Sequence, residues 1–307
     1  MVKNILKRIA QTVLILFAVA LLIFILLRII PGNAIVTMMG EHANAETIQR
    51  MTEELGLNDP FYVQFWRYIT GVFTGDLGTS TSLNRSVSEL IRTAFPNTVM
   101  LAVLAAVFAW VLGIGCGMIS AIRKNGLVDR MFMGVSLLGV SVPVFMVAMV
   151  LQYLFAYKLK WFPISSASGG WMGFILPAIA LGWNSAGSIA RLTRSTLMEV
   201  LQEDYMDTAR AKGMGKLAVI FRGMRNTILP VLTMMAVQLS SLLSGAVICE
   251  TIFSINGIGR LAVKAIDGRD IPLLQGTILF STVLVIVGNL VADCLYSVLD
   301  PRIRKEV

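Results

Sequence analysis

Residues 97–122 read NTVMLAVLAAVFAWVLGIGCGMISAI, a run without a single charged side chain. A helix rises about 1.5 Å per residue, so a run of this length crosses the ~30 Å hydrocarbon core of a bilayer. The stretch therefore predicts a membrane-spanning α-helix, and it makes lipid the solvent in which the rest of the chain folds.

The composition of the whole chain agrees with a membrane solvent. Of the 307 residues, 56% are hydrophobic and 14% are charged, and the mean hydropathy is +0.76. A globular fold in water cannot bury that much apolar surface. The formal charge of +8 comes from Lys and Arg dispersed between apolar runs. That pattern is typical of membrane topology and argues against nucleic-acid binding.

Six apolar stretches are long enough to cross a bilayer, which predicts an all-α, polytopic membrane protein with six transmembrane helices. The fourth stretch is the weakest, because Gly182, Asn184 and Gly187 interrupt it. The first is too long for a signal peptide, and we expect it to remain as a membrane helix. The approximate bounds are 9–30, 97–122, 131–157, 174–190, 227–252 and 273–298.

The distribution of basic residues predicts the orientation of these helices. With the N-terminus inside, the inner segments hold sixteen of the 26 Lys and Arg residues. The outer segment 31–96 carries four Arg against seven acidic residues. The positive-inside rule therefore places both termini and the charged segment 191–226 in the cytoplasm.

The outer segment 31–96 is too long for a plain connection, and its sequence predicts short helices. One is expected from Glu46 to Leu55, ended by Gly56. Asn58-Asp59-Pro60 then starts a second helix, whose aromatic residues recur at helical spacing. This helix either lies in the membrane interface or packs as a cap over the bundle, and both can hold.

The charged segment 191–226 reads RLTRSTLMEVLQEDYMDTARAKGMGKLAVIFRGMRN, and it predicts a helix, a turn and a second helix. Asp207 and Arg210 are spaced to pair at i,i+3, Gly213 is a natural helix stop, and a second short helix follows from Lys216 to Met224. The residues that form one face of the first helix are Leu197, Val200, Leu201, Tyr205, Thr208 and Ala209.

The side chains toward the end of this helix are small, at Thr208, Ala209, Ala211 and Gly213. Small side chains let the surface of a partner protein come close to the backbone. They also let a helix pack tightly under its own bundle. Physical reasoning leaves both alternatives open.

The chain offers little for catalysis or for metal binding. His42 is the single histidine, and the three cysteines (Cys116, Cys249, Cys294) lie in apolar runs without metal spacing. Gly215-Lys216 lacks the other residues of a phosphate-binding loop, so the chain is not itself an ATPase. We therefore expect no catalytic residues, no metal and no bound cofactor, with energy supplied by another polypeptide or by a gradient.

Residues 203–213, EDYMDTARAKG, closely match the cytoplasmic "EAA" loop of ATP-binding-cassette (ABC) importer permeases, which in the dipeptide/oligopeptide/nickel branch runs close to E-D-Y-x-x-T-A-R-A-K-G. The chain resembles this branch along almost its whole length. Further family-like pieces follow in order: Leu55-Gly-Leu-x-x-Pro60, Gly75-Asp-Leu-Gly78, Ser141-Val-Pro143, Arg225-Asn-x-x-Leu-Pro230, Glu250-Thr-Ile-Phe253 with Gly257-Ile-Gly259-Arg260, Arg269-Asp270-x-Pro272 and Leu299-Asp-Pro-Arg-Ile-Arg304. Two departures are the absence of the family's His shortly before Arg225-Asn226, and Ile255-Asn256 in place of Trp-Pro.

The resemblance implies a type I ABC importer permease fold in a bacterial or archaeal plasma (inner) membrane. It also implies a sister permease, two ATPase subunits that carry ATP and Mg, and an extracytoplasmic binding protein. The expected cargo is a dipeptide, an oligopeptide or a related small solute, with nickel or a metal chelate as the alternative. The residues that the resemblance assigns to ATPase coupling are Glu203, Asp204, Tyr205, Thr208, Ala209, Arg210, Ala211, Lys212 and Gly213.

Polar residues inside spans are costly in lipid, and they mark either the solute path or a hydrogen bond between helices. Both interpretations stay open for Asn184, Gln238, Glu250, Asn289 and Asp293. The sequence lacks the internal repeat of many gradient-driven transporters and the clustered reactive groups of a membrane enzyme. An ATP-driven permease is therefore favoured over both classes.

Overall fold

The computed structural model describes residues 2–29, 49, 52–53 and 58–299, and these residues are mainly helical. Their helices are α1 Val2–Ile29, α2 Phe61–Thr74, α3 Val87–Ile122, α4 Leu127–Ser141, α5 Val144–Leu151, α6 Ser166–Gly169, α7 Ile175–Val200, α8 Asp204–Ala211, α9 Lys216–Ile252, α10 Ile258–Asp267 and α11 Ile271–Leu299. A π-helical stretch, Gln152–Lys158, continues α5, and a 3₁₀ turn, Gly170–Phe174, precedes α7.

Four helical stretches in the described part are long and apolar enough to cross a membrane: Val87–Ile122, Gly170–Val200, Lys216–Leu243 and Ile271–Leu290. The pair α4 and α5 with its π-helical continuation passes the same test together, and a shorter apolar helix covers Gln11–Leu26. These helices account for four or five spans, so the count of six stays a prediction.

The predicted single span 131–157 is broken into two helices that meet at an angle of 110°. The break has a local cause. A residue before proline is driven out of the helical region, and Val142 has an extended backbone (φ −88°, ψ 127°) ahead of Pro143. The sequence Ser141-Val-Pro143 therefore ends α4 and starts α5 in a new direction.

Contacts divide the chain into two compact units, of which the first comprises Met1–Asn97 and Asn256–Leu284. Within it, α2 begins at Phe61 after Pro60, as predicted. Phe24 of α1 packs its ring against those of Phe61, Phe65 and Tyr68. The other side of α2 exposes aromatic side chains such as that of Trp66, so α2 packs on one side and leaves aromatic surface on the other. The predicted helix from Glu46 to Leu55 lies largely outside the described residues.

A buried carboxylate organises the loop that precedes α3 in this unit. Asp270 is buried, and its Oδ2 accepts hydrogen bonds from the Ser80 hydroxyl (2.5 Å) and from the Ser82 hydroxyl (2.7 Å) and backbone N–H (2.9 Å). Burial raises the pKa of Asp270, but these bonds and one from the Leu273 N–H together bring its pKa below the ordinary value. The core beside it contains Val87, Leu90, Ile91, Ala94, Ile258, Leu261, Ala265 and Leu273.

The second unit comprises Thr98–Ile255 and Val285–Val307. In it, α7 packs closely against α3, since a Cβ at Gly113 would lie 2.7 Å from Ile189 Cβ and one at Gly117 would lie 2.5 Å from Ala190 O. Such small residues allow two helix backbones to approach in a membrane. Helix α7 is thus in close contact with α3 around Ile189 and Ala190.

Candidate functional site

The charged segment forms two short connections and one short helix between two long helices. Helix α7 continues beyond the predicted span to Val200, and α8 starts only at Asp204. The single helix face predicted from Leu197 to Ala209 is therefore split. Glu203 has an extended backbone (ψ 146°) at the start of α8, and the carboxylates of Asp204 and Asp207 favour a helix start there through the helix dipole.

The second short helix, predicted from Lys216 to Met224, does not stop at Met224. It is the first part of α9, which runs for 37 residues to Ile252 and includes Pro230. No Gly or Pro lies between Met224 and the predicted span, which begins three residues later at 227. The charged segment is therefore continuous with an apolar helix on each side.

Gly213 ends α8, as predicted. Its φ is +78°, in the left-handed region that glycine adopts without a steric cost. The Gly213 N–H donates to Arg210 O (2.9 Å) and the Met214 N–H to Ala209 O (3.3 Å). This pair of bonds is the Schellman motif, which satisfies carbonyls at a helix end.

Arg210 joins α8 to the end of α7. Its guanidinium pairs with the Asp207 carboxylate, which confirms the predicted i,i+3 ion pair. The same guanidinium also donates from Nη2 to Leu201 O at 2.8 Å. The second contact reaches a carbonyl that the end of α7 leaves without a helical partner. Arg210 therefore links α8 to the end of α7.

Tyr205 joins α8 to α9. The Asn226 Nδ2 donates a hydrogen bond of 2.7 Å to the Tyr205 hydroxyl. Asn226 belongs to the Arg225-Asn-x-x-Leu-Pro230 motif, and this bond gives that motif a structural role. Helix α8 is thus tied to both of its neighbouring helices by side chains.

Burial separates an inner and an outer face of α8. Met206 is 0% and Ala209 3% exposed. A Cβ at Gly223 would lie 3.2 Å from Leu197 Cδ1 and 3.6 Å from Met206 Cε, so these residues form one small core. Ala209 packs inward, which supports the alternative of tight packing under the protein's own bundle at this position, while contact with a partner at Thr208, Ala211 and Gly213 stays a prediction. The exposed residues of the segment are Glu203, Asp204, Tyr205, Asp207, Thr208, Arg210, Ala211, Lys212 and Gly213.

Two apolar side chains beside this outer face were missed by the sequence reasoning. Leu217 is 70% and Phe221 68% exposed, and they lie four residues apart on the first turns of α9. The sequence does carry a signal for them. Both are apolar, they are spaced i,i+4, and they lie inside the charged segment and outside any predicted span. They add an apolar patch to a surface that is otherwise polar.

The polar residues proposed for the solute path make separate contacts. Glu250 is buried and accepts a 2.7 Å hydrogen bond from the Thr98 hydroxyl, while Asn184 Nδ2 is 3.4 Å from Val140 O. These contacts favour hydrogen bonding between helices for both residues. Gln238 Oε1 is buried without a hydrogen-bond partner in the described part of the chain, and Asn289 is exposed. The side chain of Asp293 lies outside the described residues.

No cluster of three His, Cys, Asp or Glu residues suited to a metal ion occurs among the described residues. Residues 203–221 expose a short helix, a left-handed turn at Gly213 and the apolar side chains of Leu217 and Phe221.

Family models match nearly the whole chain. The model described as "Binding-protein-dependent transport system inner membrane component" matches residues 113–305, and the corresponding N-terminal model matches residues 1–102. The chain belongs to this family. It is accordingly a multi-pass inner-membrane permease of the ABC importer type.

Curated relatives extend over the full length. The glutathione transport system permease protein GsiC of Salmonella paratyphi A is 39% identical over 305 residues, covering 99% of each chain. GsiC of Escherichia coli (strain K12) is 37% identical over the same coverage.

Solved structures support the fold. A chain of the inward-facing MetNI methionine ABC transporter has a TM-score of 0.58 at 13% identity, covering 69% of this chain and 96% of that chain. A chain of an amino acid ABC transporter with histidines has a TM-score of 0.52 at 16% identity, covering 68% and 94%. The permease fold expected from the sequence is confirmed.

Proposed function

We propose that this permease moves a peptide-like solute into the cytoplasm and that residues 203–213 couple it to a separate ATPase. The observation that carries the proposal is the attachment of α8. Its outer face is exposed, while Arg210 bonds to Leu201 O and Tyr205 to Asn226. A force applied to α8 is therefore transmitted to both α7 and α9.

Coupling requires that the ATPase contact one conformation of the permease more strongly than another. A partner shifts a conformational equilibrium only by binding one state more strongly than the other. An exposed helix held by two side-chain bonds and a small core keeps its orientation when pushed. An ATPase whose docking groove changes shape with bound ATP would thus turn that change into movement of α7 and α9.

The proposed solute class is peptide-like. GsiC relatives, which are named as glutathione permeases, match over 99% of the chain, and that likeness supports a small peptide over a bare metal ion. Nickel or a metal chelate remains the alternative. In either case we expect an extracytoplasmic binding protein to make most of the selection.

The proposed assembly contains this chain, a sister permease, two ATPase subunits that bind ATP and Mg, and the binding protein. Both chain termini are proposed to lie in the cytoplasm, on the same side as α8. The positive-inside distribution of Lys and Arg supports this orientation.

The test uses the complete transporter in sealed vesicles, with solute uptake and ATP hydrolysis measured together. Thr208→Glu adds bulk and charge to the exposed face of α8, and it should lower the uptake per ATP hydrolysed. Thr70→Glu on α2 is the matched control, since both hydroxyls are exposed and bond to the carbonyl four residues earlier. Equal coupling ratios in the two variants would refute the proposal. Ala209→Glu is unsuitable, because Ala209 is buried.

A further inference from the structure

The second unit contains an ion pair that the ATP-coupling proposal does not use. Asp129, in the first turn of α4, is 2% exposed. Its Oδ1 accepts from Arg194 Nε at 2.6 Å and its Oδ2 from Arg194 Nη2 at 2.7 Å. The guanidinium and carboxylate thus meet in a two-bond, parallel geometry that fixes orientation as well as distance.

The pair joins three parts of the chain. Asp129 Oδ2 also accepts a 2.8 Å bond from the Asn125 N–H in the turn between α3 and α4. Arg194 lies on α7, 65 residues along the chain from Asp129. A buried carboxylate with these three bonds needs its cation, because removal of one partner leaves an uncompensated buried charge.

The location of Arg194 connects the pair to α8. Arg194 is six residues, or roughly two turns, before the end of α7 at Val200. Leu197 lies three residues and Leu201 seven residues after Arg194, on the same side of the helix. Leu197 lies in the small core under α8, and Leu201 O accepts the bond from Arg210.

Small-residue packing already holds the middle of α7 against α4. A Cβ at Gly187 would lie 2.6 Å from Ser136 O, and one at Gly139 would lie 3.0 Å from Trp183 Nε1. Helix ends loosen more readily than helix middles. The Asp129–Arg194 pair therefore attaches α7 to α4 closer to α8 than these glycine contacts do.

We propose that Asp129 and Arg194 are positioning residues for energy coupling, an inference that rests on the proposed role of α8. The pair makes the first turn of α4 follow the end of α7. A displacement of α8 then reaches α4 and the bend at Val142–Pro143, and it is not dissipated by separation of the two helices.

The test uses the complete transporter in sealed vesicles, with uptake and ATP hydrolysis measured together. Asp129→Asn and Arg194→Gln should each lower the uptake per ATP by about fivefold or more, the lower end of typical coupling between sites. The double variant should lose no more than either single one, because residues that act as a unit are not additive. Asp59→Asn, which breaks an exposed ion pair with Arg67 in α2, is the matched control and should keep the wild-type ratio.

The outcomes separate this inference from the proposed role of α8. A merely structural pair would lower uptake and hydrolysis in equal proportion and leave the ratio unchanged, which would overturn the inference. If Thr208→Glu lowers the ratio and Arg194→Gln does not, the inference fails and the role of α8 stands. If neither variant lowers the uptake per ATP, the proposed role of α8 is refuted, and this inference falls with it. Should the Asn and Gln variants not accumulate in the membrane, Arg194→Lys decides, since Lys keeps the charge without the two-bond geometry.

Discussion

Gly213→Ala should loosen the end of α8 through backbone strain alone. The residue has a φ of +78°, and an added Cβ would meet nothing within 4 Å. The steric contribution from neighbours is therefore absent, and the cost is that of placing an L-residue in the left-handed region, about 1–2 kcal/mol. A change of this size corresponds to about a 5- to 30-fold increase in the open population of the local structure.

The assay is amide hydrogen exchange of the purified permease, read on peptides that cover residues 203–215. Gly215→Ala is the matched control, because an added Cβ at Gly215 also meets nothing within 4 Å while its φ is −63°. Gly213→Asn should be intermediate, since Asn tolerates the left-handed region better than Ala. Equal exchange in Gly213→Ala and Gly215→Ala would refute the reasoning, because the two positions differ chiefly in the sign of φ.

Three further outcomes follow from single contacts. Because hydrogen bonds hold the pKa of Asp270 below its ordinary value, the wild type should melt higher than Asp270→Asn at neutral pH, and the difference should shrink as the pH falls below about 4. Tyr205→Phe removes the bond to Asn226 and should lower the free energy of unfolding by about 0.5–1.5 kcal/mol. The double variant Tyr205→Phe/Asn226→Ala should melt no lower than Asn226→Ala alone, because both lose the same bond. Phe24→Ala removes a buried ring that packs on three aromatic rings of α2, and it should cost about 3–5 kcal/mol and increase protease cleavage near residues 58–60.

Local features of the charged segment could be predicted from its sequence. The Asp207–Arg210 pair depends only on spacing along one helix, and the stop at Gly213 depends on one residue's backbone freedom. The apolar runs likewise located the long helices, because bilayer thickness fixes their length. The coupling role of residues 203–213 stays a prediction.

Contacts between distant parts of the chain could not be predicted in this way. Asp129 and Arg194 are 65 residues apart, and no local pattern marks them as partners. The inward orientation of Met206 depends on the break between α7 and α8, which the continuous periodicity of the segment concealed. The motif Ser141-Val-Pro143 contains the proline that causes the bend, but its residues do not specify the 110° angle between the two helices.

Helix α9 contains a weak turn at the residue that holds α8. Pro230 has no N–H, so the carbonyl of Asn226 lacks its usual donor four residues later, while the side chain of Asn226 binds Tyr205. The longest helix therefore bends most easily beside the attachment of α8. If α8 has the proposed coupling role, its displacement acts on α9 at the turn that already lacks a backbone hydrogen bond, so α9 can change direction there without losing another such bond.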